Sequence, residues 1–82
     1  MKRLSPHCLL VMYALENYRD ATYDDIADMT GLRHGQVFGV MLRLGRLELT
    51  THKWAYLDRP TLTTNLNARG KAHLMSLRGV AA

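Results

Sequence analysis

The chain is poor in the residues that build covalent or chemical frameworks. Among its 82 residues there is one cysteine, Cys8, so no intramolecular disulfide is available, and a lone thiol suits a reducing compartment. A cytoplasmic protein is expected. Long apolar runs are also missing: Cys8 to Leu15 covers only eight residues, against the roughly 20 that a membrane-spanning helix requires. The start, MKRLSPHC, has a basic flank, but no small-residue cleavage site closes the apolar run, so no signal peptide is predicted. Repeats, low-complexity tracts and linkers are absent, and residues 1–82 read as one domain.

Catalytic patterns are missing as well. His7, His34, His52 and His73 lack metal-ligand spacing, and His7 and Cys8 would point about 100° apart on a helix. No glycine-rich phosphate loop, paired carboxylates or nucleophile near a base in sequence is present. Accordingly no catalytic residue, metal or cofactor is expected, and Cys8 reads as a small core residue.

Acid is scarce beyond residue 28. Residues 1 to 28 hold three Lys/Arg against five Asp/Glu, a balance of −2, whereas residues 29 to 82 hold eight against two, a balance of +6. Positive charge gathered in one part of a small domain favours polyanions, because neutralised phosphates release counterions. A solvated basic surface is the plainer alternative. Hydrophobic residues make up 48% and charged residues 22%, values that predict a folded chain. A domain of this size buries only about 60% of its unfolded surface and is marginal alone. A second copy is the simplest partner.

In LSPHCLLVMYALENY, Ser5 is placed to cap a helix and Pro6 fits its first position. Helix one is expected from Pro6 to Tyr18. Its middle is apolar on every side, more than one small core can cover, so helix 6–18 is a candidate homodimer surface, with the C-terminal helix as a second contributor. A second helix starts at Thr22, with Asp25 three residues on as in a capping box, and buries Ile26, Ala27 and Met29. Gly31 supplies a turn. A third helix, about His34 to Leu47, carries Val37, Val40, Met41 and Leu44 within a narrow arc that predicts a core-facing stripe.

Beyond it the period changes. LTTHKWAYLDRPTLTTNL is rich in Thr, aromatic and branched residues and is broken at Asp58-Arg59-Pro60, which predicts a β-hairpin with Leu62, Thr64 and Leu66 on one face. Trp54 and Tyr56 are expected to pack the hairpin onto the core. Asn67 caps a last helix that Gly79 can end, with Ala68, Ala72 and Met75 along one side and Leu74 and Leu77 widening it. The fold class is α+β, mainly α.

The stretch IADMTGLRHGQVFGVMLRL resembles the helix-turn-helix of bacterial winged regulators, a pattern of IA, two residues, TGL, four residues, V, three residues, L, two residues, L. Ile26, Ala27, Thr30, Gly31, Leu32, Val37, Met41 and Leu44 hold the matching positions. Downstream, Leu49, Asp58-Arg59 and Leu66-Asn67-Ala68-Arg69-Gly70 are spaced as MarR-like regulators space the wing, its acidic-basic tip and the opening of the next helix. The resemblance covers residues 22 to 74. It implies a winged helix-turn-helix, with the helix-turn-helix at 22–47, the wing at 49–66 and the C-terminal helix at 67–78. It further implies a small bacterial, phage or plasmid transcriptional regulator that binds double-stranded DNA with helix 34–47 in the major groove and the wing on adjacent backbone or minor groove. Two departures stand out: Arg33 occupies the helix-entry position where the family has Ser or Thr, and Asn67 replaces Thr. There is no room for the family's ligand pocket, so ligand sensing is not carried over.

On that reading Arg33, His34, Gln36, Gly35 and Gly39 are the base-reading candidates, Gln36 toward adenine and Arg33 toward guanine. Arg43, Arg46, Lys53 and Arg59 are the phosphate candidates, Arg59 matching the family's wing-tip arginine. Each also has a plainer role: solvated side chains, helix-end dipole partners for Arg43 and Arg46, and a tip ion pair of Arg59 with Asp58. The acidic Asp20, Asp24, Asp25 and Asp28 are expected to face away from phosphate or toward a basic partner. A second functional reading, a winged-helix adaptor that docks protein through the same third helix, is supported by the small residues four apart in GQVFG.

Overall fold

The computed structural model describes residues 4–56 and 58–79. The basic flank at residues 1–3 and residue 57 of the expected wing lie outside the described residues. The elements run α1 (Pro6–Glu16), α2 (Tyr23–Thr30), α3 (His34–Arg46), β1 (Thr50–Tyr56), β2 (Pro60–Leu66) and α4 (Ala68–Leu77).

Capping chemistry sets most of these limits. The Cys8 N–H donates to Ser5 Oγ at 3.2 Å, and Pro6 follows as the first helical residue. α1 stops at Glu16 rather than Tyr18, because Asn17 leaves the helical region and the Tyr18 N–H turns back to the Leu15 carbonyl at 3.4 Å. Thr22 and Asp25 form the predicted reciprocal capping box, with bonds of 3.1 and 3.0 Å. α2 ends on Gly31, whose φ of 75° is open to glycine at little cost. The Asn67 carboxamide oxygen accepts from the Gly70 N–H at 2.8 Å and starts α4.

Val11, Met12 and Leu15 of α1, Ile26 of α2, Val37, Met41 and Leu44 of α3, Leu49 and Leu74 form one core. The stripe expected on α3 is the buried one. As expected for α1, one side is covered while Leu10 and Tyr13 remain exposed on the other. Met29 and the wing aromatics depart from expectation, and α4 shows which of its sides is inward. Met29 is exposed: the eight-residue helix buries only Ile26 and Ala27, and Met29 lies roughly 110° around the helix from their mean direction. α4 presents Gly70 and Leu74 inward, which leaves Ala68, Ala72, Met75 and Leu77 exposed. The cause is close packing at Gly70, where any Cβ would collide with the Leu49 carbonyl oxygen and the Leu66 side chain. Finally, Trp54 and Tyr56 do not reach the core; they are 59% and 77% exposed, because the hairpin runs out beyond it.

β1 and β2 pair antiparallel from Thr50↔Leu66 to Tyr56↔Pro60, with Trp54 opposite Leu62. Alternation places Thr50, His52, Trp54 and Tyr56 on one face with Leu66, Thr64, Leu62 and Pro60. Pro60 begins its strand, where its missing N–H is harmless. The base of the hairpin is held by the α1–α2 connection. Ala21 and Thr64 exchange backbone hydrogen bonds of 3.2 and 2.8 Å. Beside them Asp20 and Asn65 exchange two more, of 2.9 and 2.8 Å.

Candidate nucleic-acid interface

α3 stands on α2 across the three-residue turn Gly31 to Arg33. It contains no acidic residue, and its last turn carries Arg43 and Arg46. Both arginines are exposed, and neither pairs with a carboxylate among the described residues. Opposite the buried stripe, Gly35, Gly39, Leu42 and Arg46 fall in one row along the helix, spaced four, three and four residues apart. A Cβ at Gly35 or Gly39 would meet nothing within 4 Å.

Arg33 occupies the N-cap, but its side chain makes no capping hydrogen bond. Gln36 takes over, its Oε1 accepting from the Arg33 N–H at 3.0 Å. The carbonyl of the adenine-reading candidate is therefore engaged within the helix end, and its amide group is left to reach outward. His34 Nε2 lies 2.6 Å from Asp24 Oδ1, with both side chains exposed. The contact ties Asp24 of α2 to the first residue of α3.

The wing divides its polar side chains between two faces. On the face turned to α3, His52 bonds Thr64 through Nδ1 at 3.0 Å and sits beside Gly45. Lys53 alternates to the other face, where its Nζ lies 3.4 Å from Asp20 Oδ1. Hydrogen bonding from Asn65, reinforced by Lys53, holds the Asp20 carboxyl below its ordinary value. Lys53 is consequently separated from the α3 group. Arg59 is exposed near the tip, without a carboxylate partner among the described residues.

Between α3 and the wing runs an open trough. One section, about 530 Å³, is lined by Tyr23, Phe38, Arg59 and Leu62 among others, and a second, about 510 Å³, by Phe38, Leu42, Arg46 and His52. Phe38 meets Tyr23 with ring centroids 6.4 Å apart, yet remains 54% exposed. Phe38, Leu42, Trp54 and Tyr56 had no place among the sequence candidates. For Phe38 and Leu42 the signal was present, since both lie off the apolar stripe of α3.

Two stacked helices, a third across a short turn, a hairpin beside it and a closing helix define the winged helix-turn-helix fold. The sequence matches no family model and no curated protein. Its structural neighbours include MarR and PadR family transcription regulators. One is BpsR of Bordetella bronchiseptica, a protein whose DNA binding is regulated by 6-hydroxynicotinic acid, with TM-score 0.88 and 22% identity over 95% of this chain and 56% of that one. A MarR family regulator from Neisseria meningitidis superposes with TM-score 0.75 and 25% identity, over 94% of this chain and 54% of the other. A protein from the Sulfolobus islandicus plasmid-virus pSSVx matches with TM-score 0.70 and 19% identity, over 89% of this chain and 95% of its own. The chain spans 56% and 58% of the first two structures it matches. These likenesses establish the fold. Among the described residues no helix is long and apolar enough to cross a membrane, and no group of three or more His, Cys, Asp or Glu is arranged to hold a metal ion.

Proposed function

We propose that the chain is a sequence-specific double-stranded DNA-binding protein, a small bacterial, phage or plasmid transcriptional regulator rather than an enzyme. α3 enters the major groove and the wing lies on adjacent backbone or minor groove. The observation that carries this reading is the outward side of α3: thirteen residues without an acid, a bare glycine row, and Arg43 and Arg46 unpaired among the described residues. Arg59 near the wing tip extends the cationic line. Transcription regulators among the structural neighbours give the same direction.

On this reading the candidates divide by role. Arg43, Arg46 and Arg59 serve phosphate, Gln36 and Arg33 reach base edges from the end of α3, and Gly35 and Gly39 allow close approach. Lys53 contributes less, because Asp20 occupies it. His34 acts after release from Asp24. Two copies pack through the exposed Leu10 and Tyr13 of α1, with the exposed Met75 and Leu77 of α4 as further contributors. The single thiol, Cys8, is buried and free, in keeping with work in the cytoplasm as one domain.

Selection of bound duplexes from a random pool tests the reading. The expected result is a pseudo-palindrome, with half-sites one helical turn apart and affinity falling steeply with salt. Retention of no duplex at low salt, together with stoichiometric capture of one protein, would replace it with the adaptor reading, which draws on the exposed Phe38, Leu42, Trp54 and Tyr56.

A further inference from the structure

The row that α3 turns outward is chemically lopsided. Gly35 and Gly39 present only backbone, Leu42 is 49% exposed, and Arg46 ends the row. At 100° per residue Leu42 lies within roughly 30° of the direction opposite the buried stripe. It is the first side chain encountered along that row from the N-terminal end. Phe38, one turn earlier and toward the wing, is the neighbouring exposed apolar group.

Two of the polar groups near the N-terminal end of this row are engaged in part, while the Gln36 amide and the arginines keep their donors free. Gln36 Oε1 accepts the Arg33 N–H, and His34 is held by Asp24. What the centre of the face offers without breaking a hydrogen bond is hydrocarbon. In a major groove the complementary hydrocarbon is the C5-methyl group of thymine, the one apolar feature in the donor and acceptor pattern of the base edges. The two glycines bring the backbone down, and Arg43 and Arg46 supply the charge that holds a phosphate backbone alongside.

We propose that Leu42, with Phe38 beside it, is a specificity-determining element of α3 and selects duplex sites by packing on thymine methyl groups, in addition to the base edges that Gln36 and Arg33 reach. This deepens the DNA-binding reading and rests on it. Burial of one methyl is worth about fourfold in affinity. Removing a methyl while leaving every hydrogen-bonding group of the base in place should therefore be felt only where Leu42 or Phe38 touches it.

The test takes the best duplex from the random selection and replaces each thymine in turn by deoxyuridine, measuring affinity by fluorescence anisotropy for the wild type, Leu42→Ala and Phe38→Ala. The expected result is a loss of about fourfold at one or two positions per half-site in the wild type, abolished at one of them by Leu42→Ala and reduced at its neighbour by Phe38→Ala. Both side chains are exposed, so circular dichroism should show unchanged folds. A selected site insensitive to deoxyuridine overturns the inference and leaves the DNA-binding reading standing. Equal deoxyuridine losses in all three proteins also overturn it, since the methyl would then act through DNA shape. Absence of any bound duplex fails the DNA-binding reading itself, and the inference with it.

Discussion

Gly70 and Gly39 are both helical glycines, and they stand in opposite surroundings. At Gly70 the helix is pressed so closely on the Leu49 carbonyl that a Cβ has nowhere to go. At Gly39 a Cβ would meet nothing. The first glycine is explained by packing within the chain. The second costs about 1 kcal/mol relative to alanine with no return inside the molecule, so its reason must lie in what approaches from outside. Packed and open glycines thus separate the part of the chain that builds the fold from the part that is presented.

The sharpest way to break this contrast is Gly70→Ala. It should destabilise the protein by about 3 kcal/mol, which for a domain of this size lowers Tm by roughly 12 °C or more; calorimetry checks it. An unchanged Tm would mean that α4 can move off Leu49 freely. Next comes Gly39→Ala, which should raise stability by about 1 kcal/mol in denaturant titration and weaken duplex binding. Stabilisation with unchanged binding would remove the open glycine from the contact.

A third comparison sets Arg59→Ala against Lys53→Ala. Loss of Arg59 should lower the slope of log affinity against log salt by roughly 1 and weaken all sequences similarly. Loss of Lys53, occupied by Asp20, should change the slope less. The smallest expected effect concerns acid. Asp20 is held below its ordinary carboxylate value by Asn65 first and Lys53 second, so its contribution to stability is present above that ordinary value and is lost as pH falls through the lowered one. Asp20→Asn, which tolerates the positive φ of 55° at this position, should flatten the decline of Tm below about pH 4.

The elements were legible because their limits are written locally. Ser5, Thr22 with Asp25, Gly31 and Asn67 act within three or four residues of themselves. The buried stripe of α3 was legible for the same reason, since 3.6-residue periodicity shows directly which side is apolar. Orientation between elements was not. The inward side of α4 is chosen by Gly70 meeting Leu49, 21 positions earlier in the sequence. The exposure of Trp54 and Tyr56 depends on how far the hairpin overhangs the core, which no alternation pattern records. In the candidate site, the residue types on α3 could be named, but not that Gln36 and His34 would be held by Arg33 and Asp24. The last of these bonds joins α2 to α3 across the turn.

The pairing of Ala21 with Thr64 and of Asp20 with Asn65 has a mechanical meaning. It clamps one end of the hairpin, so the wing is a cantilever, with Arg59 near its free end. Small rotations at a clamp become large excursions at a tip, and the reach of Arg59 is therefore governed 6 residues away, at Asn65. Stiffening or loosening that anchorage tunes where the tip falls without altering any of the side chains proposed to meet a duplex.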